Sequence, residues 1–329
     1  MEQIKWGIIG CGDVTEVKSG PPLYKVPNSS LVAVMRRNGE KAADYARRHN
    51  VARWYDDADK LLNDPEVNAI YIATPPASHM DYAIAALNKG LNVYIDKPVT
   101  LNAAQARAIA EAAAKSTGKL SVAHYRRSLP YFLYVKELID NGTIGDIRTV
   151  QIKLWQHLKP ALITHLEDDW RIREEVSGGG YFHDMSPHQL DLMLFYFGEP
   201  HYYSGTSLNQ AGDYKVADHV TGHIVFKNKV VVNGSWCFNV APEAVIDECE
   251  IVGSKGKISF PVFVKPPVVT LTTHTGIHTK EFTHPEHISY FMIEQVVNYF
   301  NGTQVNNPCS IEDVIPLMDI MDAFAEKHI

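Results

Sequence analysis

The chain of 329 residues is poor in cysteine, and its four, Cys11, Cys237, Cys249 and Cys309, stand too far apart for a zinc knuckle or a disulfide framework. Free thiols are expected. No apolar run reaches membrane-spanning length, and the opening MEQIKWGIIG has neither a basic leader nor a small-residue cleavage site. A cytoplasmic protein is expected. Positive charge is not in excess: 31 Lys and Arg against 38 Asp and Glu leave −7, with no charged tail. This argues against a nucleic-acid backbone or a membrane surface as partner and for a small molecule. Internal repeats and low-complexity linkers are also missing.

What is there is globular, with 45% hydrophobic and 21% charged residues over a length that exceeds one ordinary core. Two domains are expected, 1–124 and 125–329, the boundary resting on a change of hydrophobic period. Before it, the short runs IKWGII, SLVAVM, NAIYIA, LNVYI and KLSVA alternate with helical segments at 38–49, 79–90 and 102–118. That alternation predicts an α/β domain, βαβ units around a parallel sheet. After it, long alternating runs such as RTVQIKLWQH, HVTGHIVFK and KVVVNGSWCF predict a mainly antiparallel sheet. Helices are expected at 187–197, 288–300 and 311–327.

The first run leads into GCGDVT, with Gly10, Gly12 and then Asp13, Val14 and Thr15. A glycine turn between strand and helix suits a dinucleotide pyrophosphate, which needs close backbone approach and helix N–H donors. KSGPP must cut the following helix short. No acidic residue stands at the end of the second run to bind the ribose of NAD; Arg36 and Arg37 stand there instead and favour the 2′-phosphate of NADP.

Two further stretches, ATPPASH at 73–79 and DKP at 96–98, follow predicted strands at the edge where open α/β sheets bind ligands. With these the chain resembles, over nearly its whole length, the Gfo/Idh/MocA family, which includes glucose-fructose oxidoreductase and inositol dehydrogenase. The resemblance implies a doubly wound Rossmann domain and an open-faced α+β second domain. It places Thr74, Pro75 and His79 along the cofactor, Lys97 at the reacting hydroxyl, and a cis peptide before Pro98. Asp96 stands where the family has glutamate. His124 falls near the nicotinamide and Arg127 at the domain junction.

The segment SGGGYFHDMSPHQLDL, 177–192, admits several readings. Asp184, His188 and Asp191 have the spacing of one helical face, but a zinc site needs convergent partners that are missing. No metal is expected. Ser186, Pro187 and Gln189 read as a helix cap, a first-turn proline and a capping box, which leaves Gly178–Gly180 and the His/Asp pair unexplained. The resemblance accounts for them: it implies His188 as proton acceptor and Asp184 as its partner. Imidazole, titrating near 6.5, suits that task. Trp170 and Arg171, in the stretch DDWR at 168–171, either contact a sugar or serve packing and surface roles. His274, His278, His284 and His287 read as a solvated hairpin and a helix approach rather than a metal site.

The expected activity is an NADP- or NAD-dependent interconversion of a hydroxyl and a carbonyl on a sugar, polyol or related cyclic alcohol. The alternatives are a glycosidase that retains NAD and a non-catalytic dinucleotide sensor. A homodimer or homotetramer is expected, because apolar positions alternate on both faces of VTGHIVF and KVVVNGSW.

Overall fold

The computed structural model describes residues 3–158 and 169–326. They form two compact units, one running to Arg126 and taking in Pro285–Ile315, the other comprising Arg127–His284 and the chain from Pro316 onward.

The first unit runs β1 (Ile4–Ile9), α1 (Asp13–Val17), α2 (Pro22–Lys25), β2 (Ser29–Met35), α3 (Gly39–Arg48), β3 (Arg53–Tyr55), α4 (Ala58–Leu62), β4 (Ala69–Ile72), α5 (His79–Asn88), β5 (Asn92–Ile95), α6 (Ala103–Lys115) and β6 (Leu120–Val122). Its six parallel strands are ordered β3-β2-β1-β4-β5-β6. The central strands β1, β4 and β5 are almost wholly buried, as helices on both faces require. Asn38 and Asn102 cap α3 and α6 by accepting from Lys41 N and Gln105 N, each at 3.0 Å. KSGPP does stop the first helix, at Val17. β3 was not expected; its three half-exposed residues carry no apolar period, and it forms by pairing Ala33–Met35 with Arg53–Tyr55.

In the second unit, α7 (Pro130–Asp140), β7 (Ile147–Trp155), α8 (Glu174–Ser177), α9 (Gly180–Met185) and α10 (Pro187–Phe197) precede the strands β8 (Pro200–Leu208), β9 (His219–Phe226), β10 (Val231–Cys237), β11 (Ile246–Gly253), β12 (Gly256–Phe260), β13 (Val268–Thr273) and β14 (Gly276–Glu281). The eight strands are ordered β14-β13-β12-β11-β7-β10-β9-β8, every neighbouring pair antiparallel except β7 with β10. Val150, Ile152, Leu154, Val232, Trp236, Cys249 and Ile251 alternate onto the buried face. Trp236 Nε1 there donates to Gln189 Oε1 of α10 at 3.0 Å.

Two helices complete the chain, α11 (Tyr290–Phe300) in the first unit and α12 (Ile311–Ala325), whose Pro316 marks the division. The free edge of β6 is covered by residues 307–309: Val122 N donates to Cys309 O at 2.9 Å, and Asn307 Nδ2 to Leu120 O at 2.6 Å. No described helix is long and apolar enough to cross a membrane.

Candidate active site

In the first unit, the chain leaves β1 through Gly10, whose φ of +93° lies in the region that favours glycine. A methyl group there would come within 2.6 Å of Thr74 Cγ2 and 2.9 Å of Thr74 N, so Gly10 also lets the two strand-end loops touch. Gly12 differs. A methyl at Gly12 would meet only Gly10 O, at 3.8 Å, so the protein's own packing does not demand glycine there. The space it leaves is where a dinucleotide phosphate would approach, and the residues fit that group. The turn is closed by Thr15, whose hydroxyl donates to Gly12 O at 2.8 Å and accepts from Gly12 N at 3.0 Å. Asp13 and Val14 open α1, with first-turn N–H groups that a helix leaves without internal acceptors.

Arg36, half-buried at the end of β2, donates from Nη1 to Cys11 O at 3.3 Å; Arg37 beside it is exposed. The guanidinium thus lies over the glycine turn.

His79 is fully buried beneath the loops that follow β4 and β5, rather than presented at their surface beside Thr74 and Pro75. Its Nε2 lies 2.7 Å from Thr74 O, and its Nδ1 lies 3.1 and 3.2 Å from Pro98 O and Val99 O. The ring therefore ties the Thr74–Pro75 loop to Lys97–Pro98, a cis peptide. Asp96 Oδ1 accepts from Lys97 N at 2.9 Å, and His124, one residue beyond Ala123, is buried.

Burial pushes His79 down to about 4, against the pull of the surrounding carbonyl oxygens. Its folded pKa thus lies below the unfolded value of about 6.5, so the unfolded chain binds the proton first as pH falls. Stability held above about 6.5 should be lost progressively down to about 4, by about 3 kcal/mol at roughly 1.4 kcal/mol per unit. Urea unfolding at several pH values measures this. His79→Gln should flatten the slope over that window; an unchanged slope would assign the acid sensitivity elsewhere.

In the second unit, the glycines at 178–180 have a structural cause. Gly178, at φ +86°, ends α8; Gly180, at φ +72°, starts α9 against Val216, whose Cγ2 would lie 2.6 Å from an added methyl. Gly179 lies against the ring of buried His183. The cap expected from Ser186 and Gln189 is not formed. α9 runs almost directly into α10, so Ser186 is itself helical and Leu190 N finds Ser186 O at 2.9 Å, while Gln189 serves Trp236.

Asp184 closes α9 and accepts from Arg171 Nε at 2.6 Å. Arg171 lies over the Trp170 ring, 4.7 Å from its centroid, in a short turn where Asp169 accepts from Arg171 N and from Tyr181 OH. Asp168, the first residue of that stretch, lies outside the described residues. Arg127 forms a buried, two-pronged ion pair with Asp191, at 2.8–3.0 Å. Buried His188, in the first turn of α10, meets the ring of Phe263 edge to face, with centroids 5.4 Å apart. Phe263 had no signal in the sequence, because it stands in a proline-rich loop without period. The four weighed histidines do not converge on one place: His274 and His278 belong to the exposed β13–β14 hairpin, and His284 stands 6.1 Å from the Tyr131 ring. His287, in the first unit, meets Lys25 Nζ and Val17 O at 2.6 and 2.7 Å.

Residues 4–124 match the family described as oxidoreductase family, NAD-binding Rossmann fold, and residues 132–259 match the GFO/IDH/MocA C-terminal domain. The chain is 45% identical over 324 residues to Oxidoreductase P35 of Formosa agariphila, covering 98% of each. It is 25% identical to the 1,5-anhydro-D-fructose reductase of Ensifer adhaerens, over 82% of this chain and 79% of that one. Among solved structures, an oxidoreductase from Thermotoga maritima superposes with a TM-score of 0.86 at 23% identity, over 99% of this chain and 97% of its own.

Proposed function

From the Gfo/Idh/MocA oxidoreductase family, to which this chain belongs, we propose that it interconverts a hydroxyl and a carbonyl on a sugar, polyol or related cyclic alcohol, with NADP preferred over NAD. The observation that carries this reading is the open turn at Gly12, overlain by Arg36, on the same sheet edge as the Lys97 loop that His79 ties down. The similarity to a reductase named for an anhydro sugar supports the substrate class.

In this reading the first unit carries the cofactor and the second the substrate and the assembly face; the expected single boundary at 124/125 gives way to a division at Arg126/Arg127, because Pro285–Ile315 returns to the first unit. The turn at Gly10 and Gly12 receives the pyrophosphate, the start of α1 faces it with Asp13, Val14 and Thr15, and Arg36 and Arg37 take the 2′-phosphate. Thr74, Pro75, Asp96 and His124 line the remaining length. A nicotinamide held there would supply the hydride chemistry. Lys97 steadies the developing alkoxide with its ammonium group, and His188 takes the alcohol proton. Asp184, oriented by Arg171, fixes the ring or a substrate hydroxyl. Trp170 with Arg171 offers a stacked face to a sugar, and Arg127, oriented by Asp191, stands ready for a substrate hydroxyl.

The test is purified protein with each cofactor across a panel of sugars and polyols, following nicotinamide absorbance. Stoichiometric cofactor reduction or oxidation with one of them is expected. Glycoside cleavage without net cofactor change would replace the reading by the glycosidase one; binding without either reaction would leave a sensor. The protein is also expected to assemble as a homodimer or homotetramer, and sedimentation at micromolar concentration showing only a 36.8 kDa species would refute this.

A further inference from the structure

Between β12 and β13, residues 261–267 form a loop, PVFVKPP, too rich in proline to hold itself by backbone pairing. It is held by side chains from other elements of the same unit. The carboxylate of Asp247, on β11, accepts from three consecutive backbone N–H groups: Val262 N at 3.0 and 3.1 Å, Phe263 N at 2.6 Å and Val264 N at 3.1 Å. On its other side Tyr131, from α7, donates its hydroxyl to Pro261 O at 2.8 Å. Charge-assisted bonds of this kind are roughly twice as strong as neutral ones, so the backbone of residue 263 is fixed more firmly than its loop position suggests. The side chain set in place is Phe263, half-buried, with its ring at 73° to that of His188.

We propose that Phe263 is a positioning residue for the His188 imidazole and that Asp247 is the residue that positions Phe263. This rests on the reading of His188 as the proton-transfer group. An imidazole in the first turn of a helix can turn about two side-chain bonds, and proton transfer needs one nitrogen within hydrogen-bond reach of the reacting oxygen. An aromatic edge-to-face contact restricts that rotation. In this scheme Asp247 acts through the loop, by the bonds its carboxylate accepts from Val262, Phe263 and Val264. Its replacement by alanine removes the carboxylate that the three N–H groups share and leaves Tyr131 to hold the loop, whereas asparagine keeps an oxygen that can accept from at least one.

The experiment records ring-proton resonances of His188 in histidine-labelled full-length protein, assigned with His188→Asn, for the unmutated chain and for Phe263→Leu, Asp247→Ala and Asp247→Asn. Loss of the ring current in Phe263→Leu should move the His188 signals, Asp247→Ala should move them the same way, and Asp247→Asn should restore them in part. With substrate, turnover in Asp247→Ala and Phe263→Leu should fall about 10- to 100-fold, the scale of a displaced catalytic group, with cofactor affinity unchanged. Thermal melting confirms that each variant folds. His188 signals in Asp247→Ala that coincide with those of the unmutated protein would overturn the proposal. The spectroscopic result is independent of turnover, so full activity in His188→Asn would remove the catalytic reading and leave the positioning of the ring measurable.

Discussion

His188→Asn should lower turnover by about 10²- to 10⁴-fold, the usual contribution of a positioned general base, while the protein stays folded and still binds dinucleotide. The fold is expected to survive because the start of α10 is held by backbone bonds, Ser186 O accepting from Gln189 N and Leu190 N, to which the imidazole is not party. Cofactor binding is expected to survive because the Gly10–Thr15 turn and the Arg36 guanidinium belong to the other unit. Lys97→Ala should bring a comparable loss, and the double variant should lose less than the product of the two, because the proposed reaction has both groups act on the same oxygen. His183→Asn is the control. Its ring packs against Gly179, so that variant should lose stability and keep its turnover. Undiminished turnover in His188→Asn, or a loss that zinc restores, would overturn the assignment.

Replacing Arg36 and Arg37 together by serine should abolish or reverse a preference for NADPH over NADH. Charge-assisted bonds of about 1.5 to 3 kcal/mol each amount to one to a few decades of discrimination. The two arginines should separate in single variants. Arg36 also holds Cys11 O of the glycine turn, so Arg36→Ser should weaken both cofactors, whereas the exposed Arg37, once removed, should weaken NADPH alone. Equal dissociation constants for the two cofactors in the unmutated protein would refute the preference at the outset.

The Rossmann unit was legible because its signals are local. IKWGII coincides with β1, and the helices at 39–48, 79–88 and 103–115 follow apolar spacing bounded by asparagine and glycine. The open turn at Gly12 was legible for the same reason. The elements that escaped lack local period: β8 reads PHYYSGTSL and is half-exposed, and it is a strand because β9 pairs with it. α7 was hidden by the prolines and aromatics at its start, although Tyr131, Val135 and Leu138 are buried at helical spacing. The glycines at 178–180 carried a signal that pointed to chemistry, and their cause is steric: a left-handed helix end, close approach to His183 and packing on Val216. Ser186 carried the letters of a cap without the role, because a cap requires extended backbone and α9 delivers the chain already coiled. Asp247 and Phe263 were invisible because their importance lies in partners 15 to 75 positions away.

The cover over the edge of β6 has a consequence for the order of events on the ribosome. Strand β6 ends at Val122, and the carbonyl that accepts from its N–H is that of Cys309. At roughly 5 to 20 residues per second, more than 180 further residues must be made before that carbonyl exists, a delay of roughly 10 to 40 s. Throughout it the parallel sheet of the nascent chain ends in an unpaired strand, the kind of template on which chains aggregate. The later segment seals an edge made more than 180 residues before it, so a chain released between the two would carry a glycine turn and an Arg36, and an open sheet edge beside them.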